Sequence, residues 1–206
     1  MTRHGGGTGV RLLPLDAAEA LAGSPLSTHL TSTDDAVPPG HRRLVTSRLL
    51  VRRDFDAAAD ELLRWRMHTG AGLRVAASSE RAAVGTVVRL TLSRFARGPG
   101  LHVACRVVDV IDEEHRKGFT YATLAGHVES GLQTFTVHRG RCDADNSLRQ
   151  GTDSRTPHGA DSPVRVSVVS VSAPAHPLLR RVGPVPVWAQ RIMAARYCAA
   201  MDRETT

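Results

Sequence analysis

Residues 101–137, LHVACRVVDVIDEEHRKGFTYATLAGHVESGLQTFTV, decide how the rest of the chain is read. Apolar and polar residues take turns along LHVACRVVDVIDE, RKGFTYATLAGH and VESGLQTFTV, and short polar turns separate them. This predicts three consecutive strands of one sheet. In the first strand Val103, Cys105, Val107, Asp109 and Ile111 share a face, while His102, Ala104, Arg106, Val108 and Val110 share the other. Both faces are largely apolar. A solvated open sheet would carry one polar face, so this one is expected to be covered by a helix or wrapped around an enclosed space.

Working outward, Arg43 to Val51 reads as an earlier strand. Asp54 then caps a helix whose stripe is Phe55, Ala59, Leu62, Leu63 and Arg66 and which stops at Gly70, with Trp65 and Met67 in the core. Leu73 to Ala77 and Val84 to Leu92 are two further strands, joined through short connections that favour antiparallel neighbours. Beyond Val137 the pattern stops, and residues 140–162 offer almost nothing to bury, which predicts a disordered insertion. Val164 to Val171 is nearly continuous β-branched apolar sequence, as a central strand requires. The last element, Val187 to Met201, is a helix with Trp188, Ile192, Ala195 and Ala199 on one stripe. Residues 1–40 are so punctuated by Gly, Pro, Ser and Thr that they read as a flexible arm with one short helix around Leu15 to Leu21.

The order strand, helix, six strands, long helix is that of an α+β helix-grip domain over residues 41–202. It has a curved seven-stranded antiparallel sheet and a long C-terminal helix across the concave face. Such an arrangement often leaves a cavity between sheet and helix.

Composition limits the function classes. The 206 residues suffice for one sizeable core. No apolar run reaches the roughly 20 residues that cross a bilayer, and MTRHGGGTGV lacks the apolar centre of an export signal, so the expectation is a cytoplasmic protein with no membrane partner. Three widely separated cysteines, Cys105, Cys142 and Cys198, match neither a disulfide framework nor a closed zinc site. The net charge of +7 invites nucleic acid, but the arginines are scattered and only four Phe, two Tyr and two Trp are available for stacking, which argues against it. There is no phosphate-cradling loop before a helix, no nucleophile elbow and no carboxylate pair at metal spacing, so neither a cofactor nor a metal is expected.

Several ordered blocks resemble the DUF1990 (UPF0548) family. They are Phe55, Leu63-x-Trp65-Arg66-Met67-His68 and Ala71-Gly72-Leu73, then Cys105-Arg106-Val107-Val108, Gly118-Phe119-x-Tyr121-x-Thr123-Leu124-x-Gly126-His127, Glu129-Ser130-Gly131 and Phe135. Ser172-x-Pro174-Ala175-His176-Pro177, Gly183-Pro184, Gln190-Arg191 and Arg196-Tyr197 continue the match. The resemblance implies the helix-grip group of pollen-allergen and steroid-transfer (START-like) domains, in agreement with the element order. Where the family has Gly-Glu-Glu-x-Phe, this chain has Gly131-Leu132-Gln133-Thr134-Phe135, two carboxylates fewer, which weakens any acid/base role carried over.

Two functional readings follow. In the first, the domain binds a small, mostly apolar, polyketide-like molecule between sheet and C-terminal helix. Arg106, Tyr121, Gln133 and Trp188 would contact it, because polar groups on largely apolar strand faces need a partner. Arg66 and Arg191 could stand at the cavity mouth. The second reading is a cofactor-independent cyclase, isomerase or dehydratase, with His127, Tyr121 and Glu129 handling protons. The alternative role for His127 is a turn residue tied to backbone. Self-association into a homo-oligomer is compatible with either.

Overall fold

A computed structural model describes residues 9–92, 101–140, 162–175 and 185–202. Cys142 and residues 141–161 of the insertion read from the sequence lie outside the described residues. The elements are β1 (Arg11–Leu12), α1 (Leu15–Gly23), β2 (Arg42–Leu49), α2 (Phe55–Leu63), α3 (Arg66–Gly70), β3 (Leu73–Ala77) and β4 (Val87–Leu92), then β5 (Leu101–Asp112), β6 (Arg116–Thr123), β7 (Glu129–Arg139), β8 (Val164–Pro174) and α4 (Val185–Ala200). They build one curved sheet in the order β1-β3-β4-β5-β6-β7-β8-β2. All neighbours pair antiparallel except β1 with β3. The α+β helix-grip fold is therefore present, with eight strands where the sequence pattern gives seven. The extra one is β1, two residues long and too short to carry an alternation.

Helices pack on both sheet faces, which explains why each carries apolar residues. On the inner face α2, α3 and α4 close over one core that includes Leu62, Trp65, Val88, Cys105, Phe119, Phe135, Val166 and Tyr197. On the outer face α1 packs Ala17, Ala18 and Leu21 against Leu13, Ala76 and Val87. Residues 24–35 continue along that face. Leu26 bridges Leu124, and the Thr33 hydroxyl meets that of Thr134 at 2.9 Å, which in turn meets Thr120 at 2.8 Å.

Two local features redirect side chains. In β5 the pairing with β6 shifts between Val107 and Asp109. This bulge ends the simple alternation: Val110, not Asp109, packs on the inner core with Cys105 and Val107. The expected single helix from Asp54 to Gly70 divides into α2 and α3 at Trp65, whose φ of 64° is left-handed. A non-glycine residue held there costs about 1 kcal/mol or more, and complete burial of the indole, with its N–H 3.2 Å from the Ser79 carbonyl, keeps it in place. After the break, Met67 and His68 face the core.

Candidate functional site

The inner face narrows to a nest of rings. The β6–β7 register pairs Phe119 with Phe135 and Tyr121 with Gln133, so these four side chains share one face. His68 comes down on them from α3. Its ring centroid is 4.8 Å from Phe135, 4.9 Å from Tyr197 of α4, 5.6 Å from Trp65 and 6.1 Å from both Phe119 and Tyr121. The imidazole is 0 % exposed, and neither ring nitrogen has a hydrogen-bond partner among the described residues. Burial pushes its pKa down to about 3, so the ring is neutral near pH 7.

Beside it the Tyr121 hydroxyl donates to Gln133 Oε1 at 2.9 Å, and the buried Tyr197 phenol lies close enough to influence its ionisation. Burial raises both phenols above their usual range, so both remain protonated. The nest thus presents neutral donors and acceptors among aromatic faces. It suits an uncharged hydroxyl or carbonyl far better than an ion.

A second polar group lies nearer the start of β7. Glu129 accepts from Gln190 of α4 and lies 3.3 Å from the Ser172 hydroxyl of β8, while Gln190 Nε2 donates to that hydroxyl at 3.1 Å. Burial raises the Glu129 pKa, and the bonds from Gln190 and Ser172 oppose the rise. Next along β7, Gly131 brings the strands together so closely that a Cβ would sit 2.2 Å from the Val171 carbonyl oxygen. This cluster is the main polar tie on the first half of α4, where Trp188, Ala189, Arg191 and Ile192 are exposed. The second half is anchored by buried Ala194, Tyr197, Cys198 and Met201, and by Asp202, which accepts from Arg48 and from the Val51 amide.

Of the residues singled out in the sequence, the structure brings Tyr121 and Gln133 together. His127 sits in the β6–β7 turn, where Nδ1 accepts the Glu129 backbone N–H at 2.9 Å, and burial lowers its pKa to about 4. That is the backbone-tied arrangement, and no hydrogen bond joins it to the Tyr121 or Glu129 side chains. Arg106 is on the outer face. Its Nη2 lies 3.2, 2.6 and 2.6 Å from the carbonyl oxygens of Leu21, Ala22 and Ser24, capping the C-terminus of α1. Trp188 is 67 % exposed on the side of α4 away from the core, and Arg66 and Arg191 are also exposed. Among the described residues no group of three or more His, Cys, Asp or Glu side chains could hold a metal, and no helix is long and apolar enough to cross a membrane.

Sequence reasoning passed over His68, Gln190 and Tyr197 as site residues. All three lie inside the blocks that carry the family resemblance, and that was the available signal. The family described as "Domain of unknown function (DUF1990)" matches residues 27–200. A search of curated proteins finds no match. Among solved structures, the ginseng major latex-like protein 151 from Panax ginseng is similar at 17 % identity and a TM-score of 0.49, covering 79 % of this chain and 96 % of its own. Truncated norcoclaurine synthase from Thalictrum flavum is similar at 13 % identity and a TM-score of 0.44, covering 80 % and 96 %.

Proposed function

The chain belongs to the DUF1990 family, and we propose that it binds a small, mostly apolar molecule bearing an uncharged hydroxyl or carbonyl group, held in the ring nest between the sheet and α4. The observation that carries this reading is His68. A buried imidazole without a protein partner forfeits about 1–3 kcal/mol per unsatisfied group, so it needs a compensating role. A hydroxyl or carbonyl among the rings would satisfy it, with Tyr121 and Gln133 within the same polar group of side chains. The rings fill the inner face in this structure. Binding therefore displaces Tyr197 or a neighbouring ring, and access runs past Gln190 and Glu129, where polar contacts tie α4 to the sheet.

The test compares 2-naphthol with naphthalene by calorimetric titration. Wild type is expected to prefer the alcohol by roughly tenfold, the worth of one well-placed hydrogen bond in a dry site. In His68→Leu the preference should fall toward unity while naphthalene affinity is kept. Absence of saturable binding by either compound, or a preference that survives the substitution, would refute the reading.

A further inference from the structure

A concavity opens at the β1–β3 end of the sheet, distinct in its lining from the ring nest. It measures about 820 Å³ and is lined by Gly9, Arg11, Arg74, Arg89, Thr91 and His102, with Gly72 and Ala76 among the remaining wall. Strand register explains why its cations converge. Pairing places Arg74 opposite Thr91 and Thr91 opposite His102, while Arg11 is opposite Ala76, Ala76 opposite Arg89 and Arg89 opposite Ala104. Directly paired residues point to the same face, so all these side chains rise from the outer face in two adjacent rows. Arg74 and Arg89 are diagonal neighbours, about 7–8 Å apart at the backbone. Arg11 and Arg89 flank Ala76 two strand spacings apart, or about 10 Å. Small Ala76 and Ala104 leave the floor between them low.

Like charges this close disfavour one another unless an anion sits among them. Among the described residues the lining holds no Asp or Glu, and Arg11, Arg74, Arg89 and His102 form no ion pair. Elsewhere, Arg48, Arg52, Arg64, Arg81 and Arg139 each have a carboxylate within 3.0 Å. Neutral donors complete the cluster. The Thr91 hydroxyl lies 3.0 Å from His102 Nδ1, and when it donates there the His102 proton resides on Nε2, a further donor.

We propose that this concavity binds a small molecule bearing a phosphate group, gripped by the guanidinium forks of Arg74 and Arg89 with Arg11 and His102 beside them. Guanidinium groups match phosphate oxygens two at a time, which distinguishes this arrangement from a general positive field. The volume is that of a metabolite site. A nucleic acid would need an extended track with aromatic platforms, and among the described residues no aromatic ring other than the His102 imidazole lines the concavity.

Inorganic pyrophosphate titrated calorimetrically into the full chain at low ionic strength is the direct test. Saturable one-to-one binding is expected, weakened about tenfold or more by Arg74→Gln and again by Arg89→Gln, as for a lost hydrogen bond to a charged group. Arg74 is exposed, so its variant keeps the assay readable whatever half-buried Arg89 adds to folding. Arg42→Gln, an exposed position on β2 at the opposite edge of the sheet, lowers the net charge equally and should leave affinity unchanged. Absence of saturation, or equal weakening by Arg42→Gln, would overturn the proposal.

Discussion

His68→Leu should stabilise the ligand-free protein, although it removes a fully buried residue. Leucine is close to imidazole in volume and buries no polar atom, so the packing change costs under about 1.5 kcal/mol. Against that, two ring nitrogens without partners among the described residues are removed, each worth about 1–3 kcal/mol. The net expectation at pH 7 is a gain on the order of 1 kcal/mol, a rise in Tm of about 2–4 °C for a chain of this length.

A pH series supplies an independent check. In the unfolded chain this histidine takes up a proton near its ordinary pKa of 6.5, whereas in the fold it does so only at about 3. The unfolded state therefore binds more protons between those values, and wild-type stability falls as pH drops through that window. At about 1.4 kcal/mol per pKa unit, the difference between variant and wild type should widen by several kcal/mol on approach to pH 3. His127 and His138, whose pKa values burial lowers to about 4, act alike in both proteins and cancel. Paired denaturant titrations from pH 7 down to the acid limit measure both effects. A variant less stable than wild type at pH 7, or a difference that stays flat on acidification, would show that the imidazole is satisfied inside the fold.

Arg106→Met should detach α1: losing charge-assisted bonds to three carbonyls costs about 1.5–3 kcal/mol, visible as faster amide exchange over residues 15–24 with β5 to β8 unchanged. Glu129→Gln tests the polar tie on α4. Because the folded pKa of Glu129 is raised, its ionisation takes stability away as pH rises from the unfolded value of 4.5 through the folded one, and the variant should lack that decline in a melt series over mildly acidic pH. Gly131→Ala must push Val171 aside and should cost at least about 1–3 kcal/mol in denaturant titration; a neutral result would show that the two strands can separate there.

What the sequence made legible follows from where the physics is local. Alternation along β5, β6, β7 and β8 is a property of each strand by itself, and those strands fall where the pattern puts them. Three departures depend on partners that no short window contains. The β5 bulge falls at Val107-Val108, two like residues, so the pattern carries no mark of the extra one. Arg106 was legible as an arginine in need of acceptors, but they are carbonyls more than eighty residues earlier, on a helix whose docking on the outer face has no signature of its own. On α4 the large residues Trp188 and Ile192 suggested the buried side, whereas the helix turns Ala194, Tyr197 and Cys198 inward.

The same volume argument connects that orientation to the candidate site. Small Ala194 and Cys198 let α4 approach the sheet, so that Tyr197 reaches the rings on β6 and β7. His68 reaches them from the other side only because Trp65 adopts a backbone conformation that its residue type disfavours. A residue type can announce a strand or a cap. That two helices converge on one imidazole is decided by the sheet they share.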